Sequence, residues 1–103
     1  YSAVTLSRRV VILGSTGSIG TSALDVAASL PEAIEVVGLS THGRVDELIA
    51  QAKRFRPKLV AITGPEPSPE QRRALESSGA TLLLGPQGLV QLAKHPEADV
   101  VLL

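Results

Sequence analysis

The chain has 103 residues, 44% of them hydrophobic and 19% charged, which suits one soluble α/β-sized domain with its own core. Ten Lys and Arg balance ten Asp and Glu, so no net field draws nucleic acid or an anionic membrane, and Tyr1 and Phe55 are too few aromatics for a base-stacking surface. The lack of cysteine excludes disulfides and thiolate metal sites, and no apolar run is long enough to cross a bilayer.

The opening YSAVTLSRR lacks the apolar segment of a secretory signal, so a cytoplasmic location is expected. Arg9 to Leu13 then reads as a buried strand, because Val10, Val11, Ile12 and Leu13 are continuous and mostly β-branched. From Ser18 to Leu30 the period becomes helical, with Ile19, Ala23, Ala27 and Leu30 on one face and Pro31 as the stop. Ile34 to Leu39 is a second strand. Val45, Leu48, Ile49 and Ala52 form the stripe of an amphipathic helix that ends before Pro57. Lys58 to Thr63 is a third strand. After the turn GPEPSP, Ser68, Pro69 and Gln71 carry the marks of a capping box with proline in the first turn, and Gly79 is placed to end that helix in the left-handed region. Strand 81–84, a helix over 87–94 and a strand over 99–103 complete the chain.

Strict alternation of strands and helices with short connections predicts an α/β fold. The expected form is a Rossmann-like, doubly wound parallel sheet of five strands in the order 3-2-1-4-5. Gly14, Gly17 and Gly20 fall where the first strand hands over to the first helix, the place of a dinucleotide-binding turn. Gly14 suits a sharp turn out of the strand. Gly17, lacking Cβ, admits a pyrophosphate close to the main chain, and Gly20 lets the helix pack tightly. The amides near Ser18, Ile19 and Gly20 face a bound anion with help from the helix dipole, while Ser15, Thr16 and Ser18 offer hydroxyls. A Walker loop is excluded, since no Gly-Lys-Ser/Thr follows; a flavin remains an alternative ligand of such a turn.

An NAD site needs a carboxylate at the end of the second strand. This chain has Ser40, Thr41, His42, Gly43 and Arg44 there, and a guanidinium suits the 2′-phosphate of NADP instead. Asp25, Asp46, Glu47, Glu66 and Glu70 are read as solvated helix-face or capping residues, and His95 beside Pro96 as a helix-end residue.

The segments ILGSTGSIG, LDV, EVVGLS, FRPKLVAI and EADVVL resemble the N-terminal NADPH-binding domain of the 1-deoxy-D-xylulose-5-phosphate reductoisomerase family, from about Arg9 onward. The resemblance implies an oxidoreductase of the methylerythritol phosphate route to isoprenoid precursors. Such an enzyme converts 1-deoxy-D-xylulose 5-phosphate to 2-C-methyl-D-erythritol 4-phosphate by a skeletal rearrangement and hydride transfer from NADPH, with Mg²⁺ or Mn²⁺ as Lewis acid. It implies cofactor contacts at Thr16, Gly17, Ser18 and Ile19, a phosphosugar substrate, no nucleic-acid or membrane partner, and a homodimer. The family's second loop carries Gly, a basic residue and Asn; here Gly43 and Arg44 keep that order and the Asn is absent.

Catalytic and metal-binding residues of the family follow the fifth strand, so none is assigned among these residues. The chain has no methionine and stops within ADVVLL, which leads us to expect residues 1–103 to be the NADP-binding part of a longer enzyme, inactive alone. Two other readings stay open at this point. One is the cofactor domain of another dehydrogenase, of the semialdehyde or short-chain type; the other is a nucleotide-sensing module without chemistry. A catalytic cysteine or Tyr-x-x-x-Lys further along would mark the former.

Overall fold

A computed structural model describes residues 8–102; Tyr1 and Leu103, the expected last residue of the fifth strand, lie outside them. Five strands alternate with four helices: β1 (Arg8–Ile12), α1 (Ser18–Ser29), β2 (Ile34–Thr41), α2 (Val45–Phe55), β3 (Leu59–Ile62), α3 (Pro69–Ser77), β4 (Thr81–Leu84), α4 (Gly85–Ala93) and β5 (Val100–Leu102). All pairings are parallel, and the sheet order is β4-β3-β2-β1-β5. The doubly wound arrangement is as expected, with β3-β2-β1 in sequence and a later strand crossed over to the far side of β1. The last two strands are placed differently from the expected 3-2-1-4-5: β4 extends the sheet beyond β3, and β5 takes the place beside β1.

That placement follows from where the helices pack. Right-handed crossovers that step steadily from β1 to β4 put α1, α2 and α3 on one face. Leu24 and Ala27 of α1, Val45, Leu48 and Ala52 of α2, and Leu75 of α3 accordingly share a core with Val10, Ile12, Val36, Leu39, Val60 and Ile62. Only α4 turns back across the other face, where Leu92 packs on Val11, Val37 and Ala61. The chain must reverse direction along the sheet somewhere, and it does so after β4 rather than after β3.

One helix start and one helix face depart from expectation. The fourth helix starts at Gly85, two residues before the expected 87, because Gly85 takes φ +74° and turns β4 directly into the helix, with Pro86 in its first turn. In α1 the buried residues are Gly20, Leu24 and Ala27, whereas Ile19 is 77% and Leu30 49% exposed. Gly20 makes the closest approach to the preceding turn and so fixes the rotation of the helix; Ile19, one residue away, is carried about 100° around the axis. Helix α3 has the expected capping box, Ser68 Oγ accepting from the Gln71 amide and Gln71 Oε1 from the Ser68 amide, and Gly79 has φ +92°.

Candidate functional site

The carboxyl ends of β1 and β2 lie side by side, and the turn after β1 is bound to the end of β2 atom by atom. Gly14 has φ +69°, a left-handed conformation that turns the chain out of the strand. Its amide donates to Ser40 Oγ at 2.9 Å, and the Ser15 amide donates to the Ser40 carbonyl at 2.8 Å. The Gly17 amide closes the turn on the Gly14 carbonyl at 3.0 Å. A Cβ on Gly20 would lie 2.5 Å from the Gly14 carbonyl oxygen and 2.6 Å from the Ser15 Cα. The tight contact that Gly20 permits is thus with the turn itself, not with the sheet.

Above this turn, α1 begins without a cap. Gly17 is its N-cap residue, no side chain caps it, and its first turn contains no acid. Among the described residues the amides of Ser18, Ile19 and Gly20 find no acceptor; the first paired amide is that of Thr21, on the Gly17 carbonyl at 2.9 Å. They border a cleft of about 330 Å³ lined by Leu13, Gly14, Gly17, Ile19, Ala23 and Leu102, among others. Unpaired N–H groups at a helix start carry partial positive charge, and a neighbouring cleft lets an anion reach them. By contrast, the polar groups at the start of α3 are closed by its own capping box.

The hydroxyls divide. Ser15 is fully buried, with Oγ 2.7 Å from Gln51 Oε1 of α2, and Thr16 Oγ1 lies 2.8 Å from Thr41 Oγ1. Those two hold the turn to its neighbours, and Ser18 remains exposed. Gln51, which the sequence reading did not single out, also donates from Nε2 to the Ser15 carbonyl at 2.9 Å. Its only local sign is a polar residue beside the buried stripe of Val45, Leu48 and Ala52.

The loop after β2 brings His42, Gly43 and Arg44 to the same end of the sheet, all exposed. His42 Nδ1 lies 3.2 Å from Thr63 Oγ1, and the Arg44 amide donates to Thr41 Oγ1 at 3.3 Å. The Arg44 guanidinium stands 3.7 Å from Glu47, with both side chains more than half exposed, a loose pair that leaves the cation available. Asp25, Asp46, Glu47, Glu66 and Glu70 are all exposed, as expected. His95 sits at the end of α4 as expected, its amide donating to the Leu92 carbonyl at 3.2 Å; its ring is largely buried, and Nδ1 accepts from the Glu97 amide at 3.0 Å.

With the turn, the uncapped helix and the basic loop in view, relatives can be ranked by how much of this unit they share. The family model for 1-deoxy-D-xylulose 5-phosphate reductoisomerase matches residues 10–103. The chain belongs to that family. The reductoisomerase of Synechococcus sp. (strain JA-2-3B'a(2-13)) is 46% identical over 94 residues, 89% of this chain and 24% of that protein. That of Anaeromyxobacter sp. (strain K) is 44% identical over 95 residues, 92% of this chain and again 24% of its own length. The chain therefore spans about a quarter of the length of the curated reductoisomerases it matches. Among solved structures, the reductoisomerase from Zymomonas mobilis in complex with NADPH superposes with a TM-score of 0.85 at 32% identity, over 93% of this chain and 25% of that one. A reductoisomerase in complex with NADPH, fosmidomycin and magnesium gives 0.83 at 29% identity, over 91% of this chain and 23% of that one. Among the described residues no helix is long and apolar enough to cross a membrane.

Proposed function

We propose that residues 1–103 form the NADPH-binding domain of a 1-deoxy-D-xylulose-5-phosphate reductoisomerase, cytoplasmic and homodimeric, acting on a phosphosugar and not on nucleic acid or membrane. The observation that carries this reading is the start of α1, uncapped and free of acid, with three unpaired amides beside the cleft. In this reading the amides of Ser18, Ile19 and Gly20 bind the cofactor diphosphate, and Gly14 and Gly17 keep the approach clear. Thr16 contributes its main chain, since its hydroxyl is engaged with Thr41. Ile19 and Leu102 offer apolar walls. His42, Gly43 and Arg44 hold the 2′-phosphate, the guanidinium providing the charge.

NADPH, when bound, supplies the hydride that reduces the rearranged aldehyde to 2-C-methyl-D-erythritol 4-phosphate. The part of this domain is to bind and orient it. Among the described residues no three His, Cys, Asp or Glu side chains converge. These residues do not fit a Mg²⁺ or Mn²⁺ site, and in this reading the ligands and the catalytic groups come from elsewhere in the protein.

Gly17→Val tests the reading. The Gly17 backbone is in the extended region, and an added Cβ would meet only the Gly14 carbonyl at 3.4 Å, so the variant is expected to fold. NADPH titration followed by fluorescence should show an affinity loss of at least about tenfold, about 1.4 kcal/mol. Unchanged NADPH affinity in a folded Gly17→Val protein would count decisively against diphosphate binding at this turn.

A further inference from the structure

We infer that Gln51 is a positioning residue for the cofactor: from α2 it holds the diphosphate turn in its binding conformation without touching the ligand. The inference rests on the NADPH reading above and names a residue that acts on the same turn from behind. Both ends of the Gln51 amide are committed to one residue. Oε1 is 2.7 Å from Ser15 Oγ, and Nε2 donates to the Ser15 carbonyl at 2.9 Å. Ser15 is fully buried and stands directly before Thr16 and Gly17. Its amide is fixed as well, donating to the Ser40 carbonyl at 2.8 Å.

A glycine-rich turn has few side chains with which to hold its own shape, so its amides are preorganised only if neighbours hold them. Ser40 of β2 fixes the amide side of this turn and Gln51 of α2 fixes the carbonyl side. The Ser15 hydroxyl has an alternative acceptor in the Ser40 carbonyl at 3.2 Å, but the Ser15 carbonyl has no second donor among the described residues. Without Gln51 that carbonyl loses its partner, and the peptide leading into Thr16 is free to rotate. The consequence belongs to the diphosphate end of the cofactor. Arg44 is the N-cap residue of α2, its amide donates to Thr41 Oγ1, and it makes no bond to the Gln51 amide.

The test compares two probes on the purified protein, NADPH and adenosine 2′-monophosphate, the second lacking a diphosphate. Gln51→Leu should weaken NADPH about tenfold. Adenosine 2′-monophosphate should change by less than about twofold, because it engages only the loop after β2. Gln51→Glu, of equal volume, serves if the leucine variant does not fold. It keeps an acceptor for the Ser15 hydroxyl but sets a carboxylate oxygen against the Ser15 carbonyl, and it should show the same selective loss. A merely structural role for Gln51 would disturb α2 as a whole and weaken both probes alike; that result, or unchanged NADPH affinity, overturns the inference. Failure of the wild-type protein to bind NADPH would instead remove the reading on which the inference rests, and the two failures are told apart by the wild-type titration.

Discussion

Two positions, one after β1 and one after β2, show how differently a glycine is used. At Gly20 an added methyl would press against main-chain atoms of Gly14 and Ser15, which have no side-chain freedom with which to retreat. Gly20→Ala is expected to cost about 1–3 kcal/mol in denaturant melts, from forced displacement of the turn. Gly43 makes the contrast, since an added Cβ there meets nothing within 4 Å. Gly43→Ala should leave the melting curve unchanged, and any loss of NADPH affinity in that variant then reports on the ligand and not on the fold. Arg44→Ala probes the same loop through charge. It should weaken NADPH by about tenfold or more while leaving NADH unaffected, since a charge-assisted contact to phosphate is worth about 1.5–3 kcal/mol. Parallel titrations with the two nucleotides check this; equal losses for both would remove the 2′-phosphate role.

At the scale of the elements, every strand and helix was visible in the sequence, because apolar runs and helical stripes are local. The capping box at Ser68 and Gln71 and the left-handed Gly79 were legible for the same reason. What was not legible depends on partners far away along the chain. The buried face of α1 is set by the fit of Gly20 against residues 14 and 15, and the helical spacing of Ile19, Ala23, Ala27 and Leu30 gave no sign of it. Ser15 and Thr16 look like ligand donors in a list of hydroxyl residues. In space their partners are Gln51 and Thr41, 36 and 25 residues on. The order of the last two strands was equally hidden, since it rests on which face α4 covers. That face is thinly defended: Leu92 is the one fully buried α4 side chain in the cluster with Val11, Val37 and Ala61. Leu92→Ala should therefore cost about 2–5 kcal/mol and loosen α4 before the rest of the sheet. Hydrogen exchange resolved by segment would detect it as early loss of protection in α4, with α1 and α2 still protected.

On the scale of the whole molecule, the two ends of the parallel sheet are built in opposite ways. At the carboxyl ends of β1 and β2, main-chain amides stand unpaired beside a cleft, ready for an anion. At the other end, charges are paired among themselves. Lys58 Nζ, just before β3, lies 3.0 and 2.8 Å from the two Glu97 carboxylate oxygens, and Arg9 of β1 stands 3.8 Å from the same group. The Asp99 carboxylate accepts from the Arg9 amide at 2.8 Å, so this cluster ties the entry of β5 to β1 and β3. Hydrogen bonding from Lys58, reinforced by the charges of Lys58, Arg9 and His95, holds the Glu97 carboxyl below its ordinary value of 4.5 against the opposing effect of desolvation. A carboxylate whose folded pKa is depressed stabilises the fold above its unfolded pKa and loses that contribution as pH falls through the folded one. Glu97→Gln should thus melt slightly below wild type at neutral pH, the exposed group making the difference small. The gap between the two melting temperatures should close as pH falls below 4.5 and on through the lower folded pKa, where the native carboxylate takes up its proton. A gap that stays constant from neutral to acid pH would mean that Glu97 acts through packing or hydrogen-bond geometry and not through its charge. NADPH affinity at neutral pH should be the same in both proteins, because the paired charges and the unpaired amides occupy opposite ends of the same strands.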